Sequence, residues 1–219
     1  MAGEVSQSVH AYRWARCPAG STPWREATYS VIDFETTGLD PKGDEIVSFA
    51  SVTVTEGRVR LADALHQVVR PRHMPGPESI RIHGLRESDL AKAPPLSEAI
   101  DGLLGAITGR ALVAHVAAVE RTFLRAALAA RGIRLLNPLL DTAGLAAELR
   151  HERQRLRWRR KRGNPVGLSD LARSLGLPVH RPHHADGDAL TTAQVFIALA
   201  TQLDARKPQT VGSLARLRP

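Results

Sequence analysis

Cysteine is nearly missing from this chain. Cys17 stands alone among 219 residues, which excludes an internal disulfide and any cysteine-rich zinc site. Long apolar runs are missing too: no stretch of about 18 apolar residues occurs, so a membrane span is not expected. No charged-then-apolar amino terminus precedes a small-residue cleavage site, so a signal peptide is not expected either, and the expectation is a cytoplasmic protein. Aromatic residues make up only 4% of the chain, and lysine occurs only as Lys42, Lys92, Lys161 and Lys207, against 26 arginines. There are no internal repeats.

What is present suffices for one domain. The hydrophobic share of 43% can fill a real core at this length. The net charge of +8 is concentrated. Between Arg150 and Arg162 lie eight basic residues and one acid, Glu152, while the remainder is close to neutral. A charge serving solubility alone would be scattered. A block holding Arg155, Arg157, Arg159 and Arg160 around Trp158 suits phosphate contacts with an aromatic available for stacking, and a solvated arginine loop is the plainer alternative.

Periodicity places the elements. Residues 1–27 show no clear period and are expected to form an amino-terminal extension. Tyr29–Glu35 reads as the first strand; Glu45–Thr55 and Arg60–Val69, joined across Glu56-Gly57-Arg58, read as a hairpin extending the sheet. Pro71–Pro77 is a proline-rich break. Helices are expected over Leu96–Thr108, Val119–Arg131, Thr142–Arg150, Leu168–Leu175 and Ala185–Leu203, and short strands over Ala111–His115 and Leu139–Asp141. Antiparallel strands followed by strands alternating with helices describe a mixed α/β sheet flanked by helices. The domain is expected over residues 28–205, with 206–219 as a carboxy-terminal tail.

The informative run is Val31-Ile32-Asp33-Phe34-Glu35-Thr36-Thr37-Gly38-Leu39. Side chains alternate along a strand, so Asp33 and Glu35 share a face with Val31 while Ile32 and Phe34 fill the other. Ionised carboxylates in an apolar strand cost several kcal/mol each unless something compensates them, and a hard divalent cation is the natural partner. Downstream, Glu120 heads a helical stripe of Phe123, Leu124, Ala127 and Leu128, and Asp188 heads one of Thr192, Val195, Phe196, Leu199 and Leu203. First-turn acids also suit the helix dipole, but these two lie on the core-directed side. Four inward carboxylates repel one another unless cations sit between them, and two divalent ions about 4 Å apart clamping a phosphate are a recurring solution. Five residues before Asp188 stands His183, whose imidazole suits proton abstraction near neutral pH. His115 reads as a structural hydrogen-bonding group, and Asp44, Glu45, Asp141 and Asp186 as caps and surface acids.

These residues resemble the DEDDh exonucleases, the DnaQ-like group that includes the epsilon proofreading subunit of bacterial replicative polymerase, ribonuclease T and oligoribonuclease. Asp33-Phe34-Glu35-Thr36-Thr37-Gly38 matches the first motif and His183-His184-Ala185-Asp186-Gly187-Asp188 the third, written His-x-Ala-x-x-Asp. Ile82-His83-Gly84-Leu85 with Ala93-Pro94 resembles the segment between, and Asp141-Thr142 the Asp-Thr that opens a later helix. The second motif departs: the family commonly shows His-Asn-Ala-x-Phe-Asp, where this chain has His115-Val116-Ala117-Ala118-Val119-Glu120. The charge is kept on an arm one methylene longer.

The resemblance implies a ribonuclease H-like fold and metal-dependent removal of nucleotides, as 5′-monophosphates, from a free 3′ end of single-stranded nucleic acid, with DNA favoured and an RNA-processing 3′–5′ exoribonuclease as the rival within the class. It implies that Asp33, Glu35, Glu120 and Asp188 hold two Mg²⁺ or Mn²⁺ ions and that His183 deprotonates the attacking water. Thr36, Thr37 and Leu39 would line the pocket for the terminal nucleotide, with Glu78 and His83 near its sugar and base. A catalytically weakened nucleic-acid-binding module associated with a polymerase is the rival from another class.

Overall fold

A computed structural model describes residues 6–154 and 166–218. Its strands are β1 (Thr28–Thr36), β2 (Ile46–Thr55), β3 (Arg58–Val68), β4 (Ala111–Ala114) and β5 (Leu139–Asp141), in the order β3-β2-β1-β4-β5. The first three pair antiparallel, while β4 joins β1 and β5 joins β4 in parallel. This is the expected mixed sheet. The helices are α1 (Gln7–Trp14), α2 (Pro77–His83), α3 (Glu87–Leu90), α4 (Leu96–Ile107), α5 (Ala118–Ala129), α6 (Thr142–Gln154), α7 (Leu168–Ser174), α8 (Ala185–Asp204) and α9 (Val211–Ala215).

Local chemistry explains the bends. The β2–β3 turn contains only Glu56 and Gly57, with φ of 53° and 68°, the conformation whose twist matches that of its flanking strands. Arg58, expected in the turn, pairs with Thr55 and begins β3. Between Glu35 and Thr36 the β1–β2 register slips, from Glu35 opposite Ser48 to Thr36 opposite Ile46. Such irregularities re-aim side chains at the edges of functional sites, and this one falls directly beside the acidic pair.

Alternation along β1 divides the core in two. Tyr29 and Val31 join Ala50, Val52, Val113, Val195, Phe196 and Leu199 under α8, whereas Ile32 and Phe34 join Phe49, Leu103, Leu104, Phe123 and Leu124 under α4 and α5. Each fully buried side chain of this size contributes about 1.5–3 kcal/mol relative to exposure. Both expected stripes are buried: Phe123, Leu124 and Leu128 on α5, and Thr192, Val195, Phe196, Leu199 and Leu203 on α8.

Some elements have no counterpart in the sequence expectations. Helix α1 is capped by the Ser6 hydroxyl and buries only Val9 and Tyr12; the Tyr12 hydroxyl donates to Asn137 Oδ1 at 2.6 Å. Trp24 is buried against Phe196, their rings crossing at 81°. Backbone bonds tie the two ends of the chain together: Trp24 N–H donates to Gln209 O, Val211 N–H to Thr22 O and Gly212 N–H to Gly20 O. Helix α6 continues to Gln154, past the expected end at Arg150. Arg155, Arg157, Trp158, Arg159 and Arg160 lie outside the described residues. Among the described residues no helix is long and apolar enough to cross a membrane.

Candidate active site

Asp33, Glu35 and Asp188 meet at the carboxyl end of β1, where α8 begins. Each offers a carboxylate oxygen such that the three lie within 4.8 Å of one another. Glu35 is 9% exposed, and Asp33 and Asp188 are half-buried. No arginine or lysine forms an ion pair with any of the three among the described residues.

Glu120 enters from the first turn of α5. It is 7% exposed, and its Oε2 has no hydrogen-bond partner among the described residues. It falls outside the group of three, yet its charge is the largest of the neighbouring charges acting on Asp33.

Crowded acids hold their protons. Burial and then the charges of Glu120, Glu35 and Asp188 raise Asp33 well above the ordinary carboxylate range. Burial and then Asp188 push Glu35 up to about 7. Burial lifts Glu120 to about 8, with Asp141 and Glu35 adding to the rise and its own backbone N–H opposing it. Asp188 is raised chiefly by burial, against the pull of the His183 N–H and of the His183 and His184 rings. Oxygen donors of one sign, without cationic partners and with one buried oxygen orphaned, fit a hard divalent cation.

The loop before α8 presents the histidine. His183 is exposed, and its backbone N–H donates to Asp188 Oδ2 at 2.8 Å, in a left-handed conformation with φ of 60°. Arg181, also at positive φ, pairs with Asp186 at 2.9 Å. The loop folds so closely over α8 that a Cβ at Gly187 would run into the carbonyl oxygens of His180 and Arg181. Glycine is required there for the loop that carries His183 to lie against α8. His184 is partly covered, its Nδ1 within 3.2 Å of Pro182 O.

The turn after β1 lies alongside. The Thr36 hydroxyl donates to Gly38 O, and the Thr37 hydroxyl donates to Asp44 Oδ1 while accepting from Glu45 N–H. Both hydroxyls are thus occupied in bracing the turn, and Leu39 stands 79% exposed at its tip. Ser79 Oγ donates to Thr37 O, docking α2 on the turn. Glu78 is exposed, whereas His83 is buried. The His83 Nδ1 accepts from Leu85 N–H, its Nε2 is without a partner among the described residues, and burial followed by the nearby His184 ring lowers its pKa.

His115 is the structural group expected. Its Nδ1 meets the Thr142 hydroxyl at 2.9 Å and its Nε2 meets Val166 O at 3.0 Å, so it anchors the chain where it returns from the basic segment. Burial lowers its pKa, and a neutral ring fits both bonds, with Nε2–H donating and Nδ1 accepting. Asp141 is a cap, as expected, and not a surface acid. Besides capping α6 through Ala143 N–H, it is buried and accepts from the backbone of Val116 and Ala117. Its one sequence signal was the Asp-Thr pair at the end of a short strand.

Comparison with known proteins identifies the family. The family profile described as Exonuclease matches residues 30–196. The chain is 34% identical over 194 residues to a DNA polymerase III subunit epsilon-like protein of Rhodobacter capsulatus, covering 88% of this chain and 26% of that protein. It is 32% identical over 175 residues to a PolC-type DNA polymerase III of Thermotoga petrophila, covering 80% and 12%. The chain therefore spans well under half the length of these curated relatives. Among solved structures, Exonuclease X in complex with 5′ overhanging duplex DNA matches with a TM-score of 0.62 at 23% identity, over 85% of this chain and 99% of that one. Exonuclease I of E. coli in complex with a dT13 oligonucleotide matches with a TM-score of 0.66 at 16% identity, over 82% and 42%. At these identities the likeness speaks to the fold, which is ribonuclease H-like.

Proposed function

The chain belongs to the exonuclease family, and from that premise we propose that it removes nucleotides from the 3′ end of single-stranded DNA as 5′-monophosphates. The observation that carries this reading is the convergence of Asp33, Glu35 and Asp188 within 4.8 Å, with His183 tied to Asp188. Asp33, Glu35, Glu120 and Asp188 would hold two Mg²⁺ or Mn²⁺ ions. When bound, such ions lower the pKa of a water and neutralise charge developing on a phosphate.

The remaining steps fall to the chain's own groups. The exposed His183 ring accepts the proton of the attacking water as its oxygen bonds to the terminal phosphorus. The bond from phosphorus to the 3′ oxygen then breaks, freeing the monophosphate, and the departing oxygen takes a proton from solvent to become the new 3′ hydroxyl. The turn Thr36–Leu39, which Ser79 ties to α2, would hold the terminal nucleotide together with Glu78 and with His83, whose Nε2 has no partner among the described residues. The polymerase III-type relatives and the DNA-bound neighbours favour DNA. The segment Arg150–Arg162 would guide the strand behind its terminus.

The test uses single-stranded DNA and RNA of one sequence, labelled at the 5′ end, with Mg²⁺, Mn²⁺ or EDTA. The expected result is a ladder shortening from the 3′ end with DNA, in either metal only. A ladder with RNA alone would move the substrate class, and internal cuts or cleavage in EDTA would overturn the mechanism.

A further inference from the structure

Helix α5 delivers Glu120, yet the side chain at its own amino-terminal cap makes no capping bond. The turn before it is held from elsewhere. Asp141, at the end of β5 and 4% exposed, accepts from Val116 N–H through Oδ1 at 3.1 Å, from Ala117 N–H through Oδ2 at 3.1 Å and from Ala143 N–H through Oδ1 at 2.9 Å. The residue it grips is strained. Val116 has φ of 54°, a left-handed conformation that is a genuine outlier for a β-branched side chain and persists only where its surroundings enforce it. Four residues later comes Glu120, buried and with one oxygen unpartnered. A turn relaxing to an ordinary φ would redirect the first turn of α5 and carry that carboxylate away from Asp33.

We propose that Asp141 is a positioning residue for Glu120, clamping the strained Val116 turn so that the glutamate reaches the cleft. Its influence on hydrolysis then passes through Glu120 alone, so the two residues act as one unit. This rests on the nuclease reading above, except that the turn itself can be judged by cation binding and thermal stability. Asp141→Asn is the sharpest probe, because the amide keeps the size of the carboxylate but turns an N–H toward that of Ala117 or of Val116 and Ala143.

The experiment compares Asp141→Asn, Glu120→Gln, their double variant and Val116→Asn, each also paired with Asp141→Asn where informative. The readouts are kcat and KM on the 5′-labelled strand, Mn²⁺ affinity by calorimetry, and Tm. Asp141→Asn should lower kcat and Mn²⁺ affinity by about 10- to 100-fold with KM within about twofold, as loss of an orienting partner does. The double variant should be no worse than Glu120→Gln. Val116→Asn alone should raise Tm by about 2–4 °C, since asparagine tolerates the left-handed region, and should restore part of the kcat lost in Asp141→Asn. Losses that multiply in the double variant, unaltered Mn²⁺ affinity in Asp141→Asn, or no recovery from Val116→Asn would each overturn the proposal. An Asp141→Asn protein that fails to fold and is not recovered by Val116→Asn would also count against it, because the carboxylate would then support the fold at large. If the wild type cuts no nucleic acid, the nuclease reading fails while Mn²⁺ affinity and Tm still decide the role of Asp141.

Discussion

Two helices carry an acid into the cleft, and the two acids meet different company. Asp188, in the first turn of α8, is half-buried, accepts the backbone N–H of His183 and lies near two imidazoles. Glu120, in the first turn of α5, is buried, has an unpartnered oxygen and faces Asp33, Glu35 and Asp141. Part of the charge on Asp188 is met by the protein itself. Glu120, raised to about 8 by burial, keeps its proton near neutral pH and ionises there only where something from outside meets the charge, since an uncompensated buried charge costs several kcal/mol. One helix thus brings in an acid already met by neighbouring groups, and the other an acid with an oxygen left unpartnered among the described residues.

Removing divalent cations should act on both acids at once. EDTA is expected to abolish turnover and lower Tm, and Mn²⁺ to restore both, because a ligand that binds only the folded state stabilises it. A Tm indifferent to millimolar Mn²⁺ would refute the metal site.

His183→Ala should strike only proton transfer. Turnover should fall about 10²–10⁴-fold, the usual worth of a positioned base, while the Mn²⁺-induced rise in Tm persists. His184→Ala should be mild, and the reverse outcome would move the base to His184.

Substitutions at the two acids sharpen the contrast further. Without cations and at pH 8.5, where Glu120 is ionised, Glu120→Gln should raise Tm by about 2–4 °C for each kcal/mol of repulsion relieved, whereas Asp188→Asn should not, since it weakens the bond that holds the His183 loop. With cations present, Glu120→Gln should cost much more turnover than Glu120→Asp, which keeps the charge. Equal, small losses would remove Glu120 from the ligand set.

The pH dependence should show the same stored repulsion on a smaller scale. Glu35 and Glu120 are raised from an ordinary value of 4.5 to about 7 and about 8, so between those limits the folded chain binds more protons than the unfolded one. Their contribution therefore falls as pH rises from about 4.5 to 8 and is level above. In EDTA, Tm should be higher at pH 6 than at pH 8.5, and the gain on adding Mn²⁺ should be larger at pH 8.5. A cation-free Tm that climbs over this range would contradict the assignment.

The smallest effect is expected away from both acids. Neutralising Arg155, Arg157, Arg159 and Arg160 together should flatten the log–log dependence of single-strand binding on salt by about 3, since each phosphate contact adds roughly −0.7. Dinucleotide hydrolysis should hardly change. An unaltered slope would make the segment a solvated loop.

What could be read from the sequence was whatever one element expresses by itself. The alternation Val31-Ile32-Asp33-Phe34-Glu35 announced a strand with both acids on one face, and the spacings after Glu120 and Asp188 announced two helices with an acid at the head of each buried stripe. Periodicity is local, so it survives without knowledge of neighbours. Helix α1 escaped because Val9 and Tyr12 alone give no period, and their burial depends on partners as distant as Asn137. Asp141 escaped because two of its three bonds reach back to Val116 and Ala117, a contact that exists only once β5 lies beside β4. The sequence by itself determined which residues carry the charge and which face of each element they occupy. Only the tertiary structure decided which charges stand together and which are left unmet, because electrostatic energy depends on separation and burial, and neither is a property of a single strand or helix.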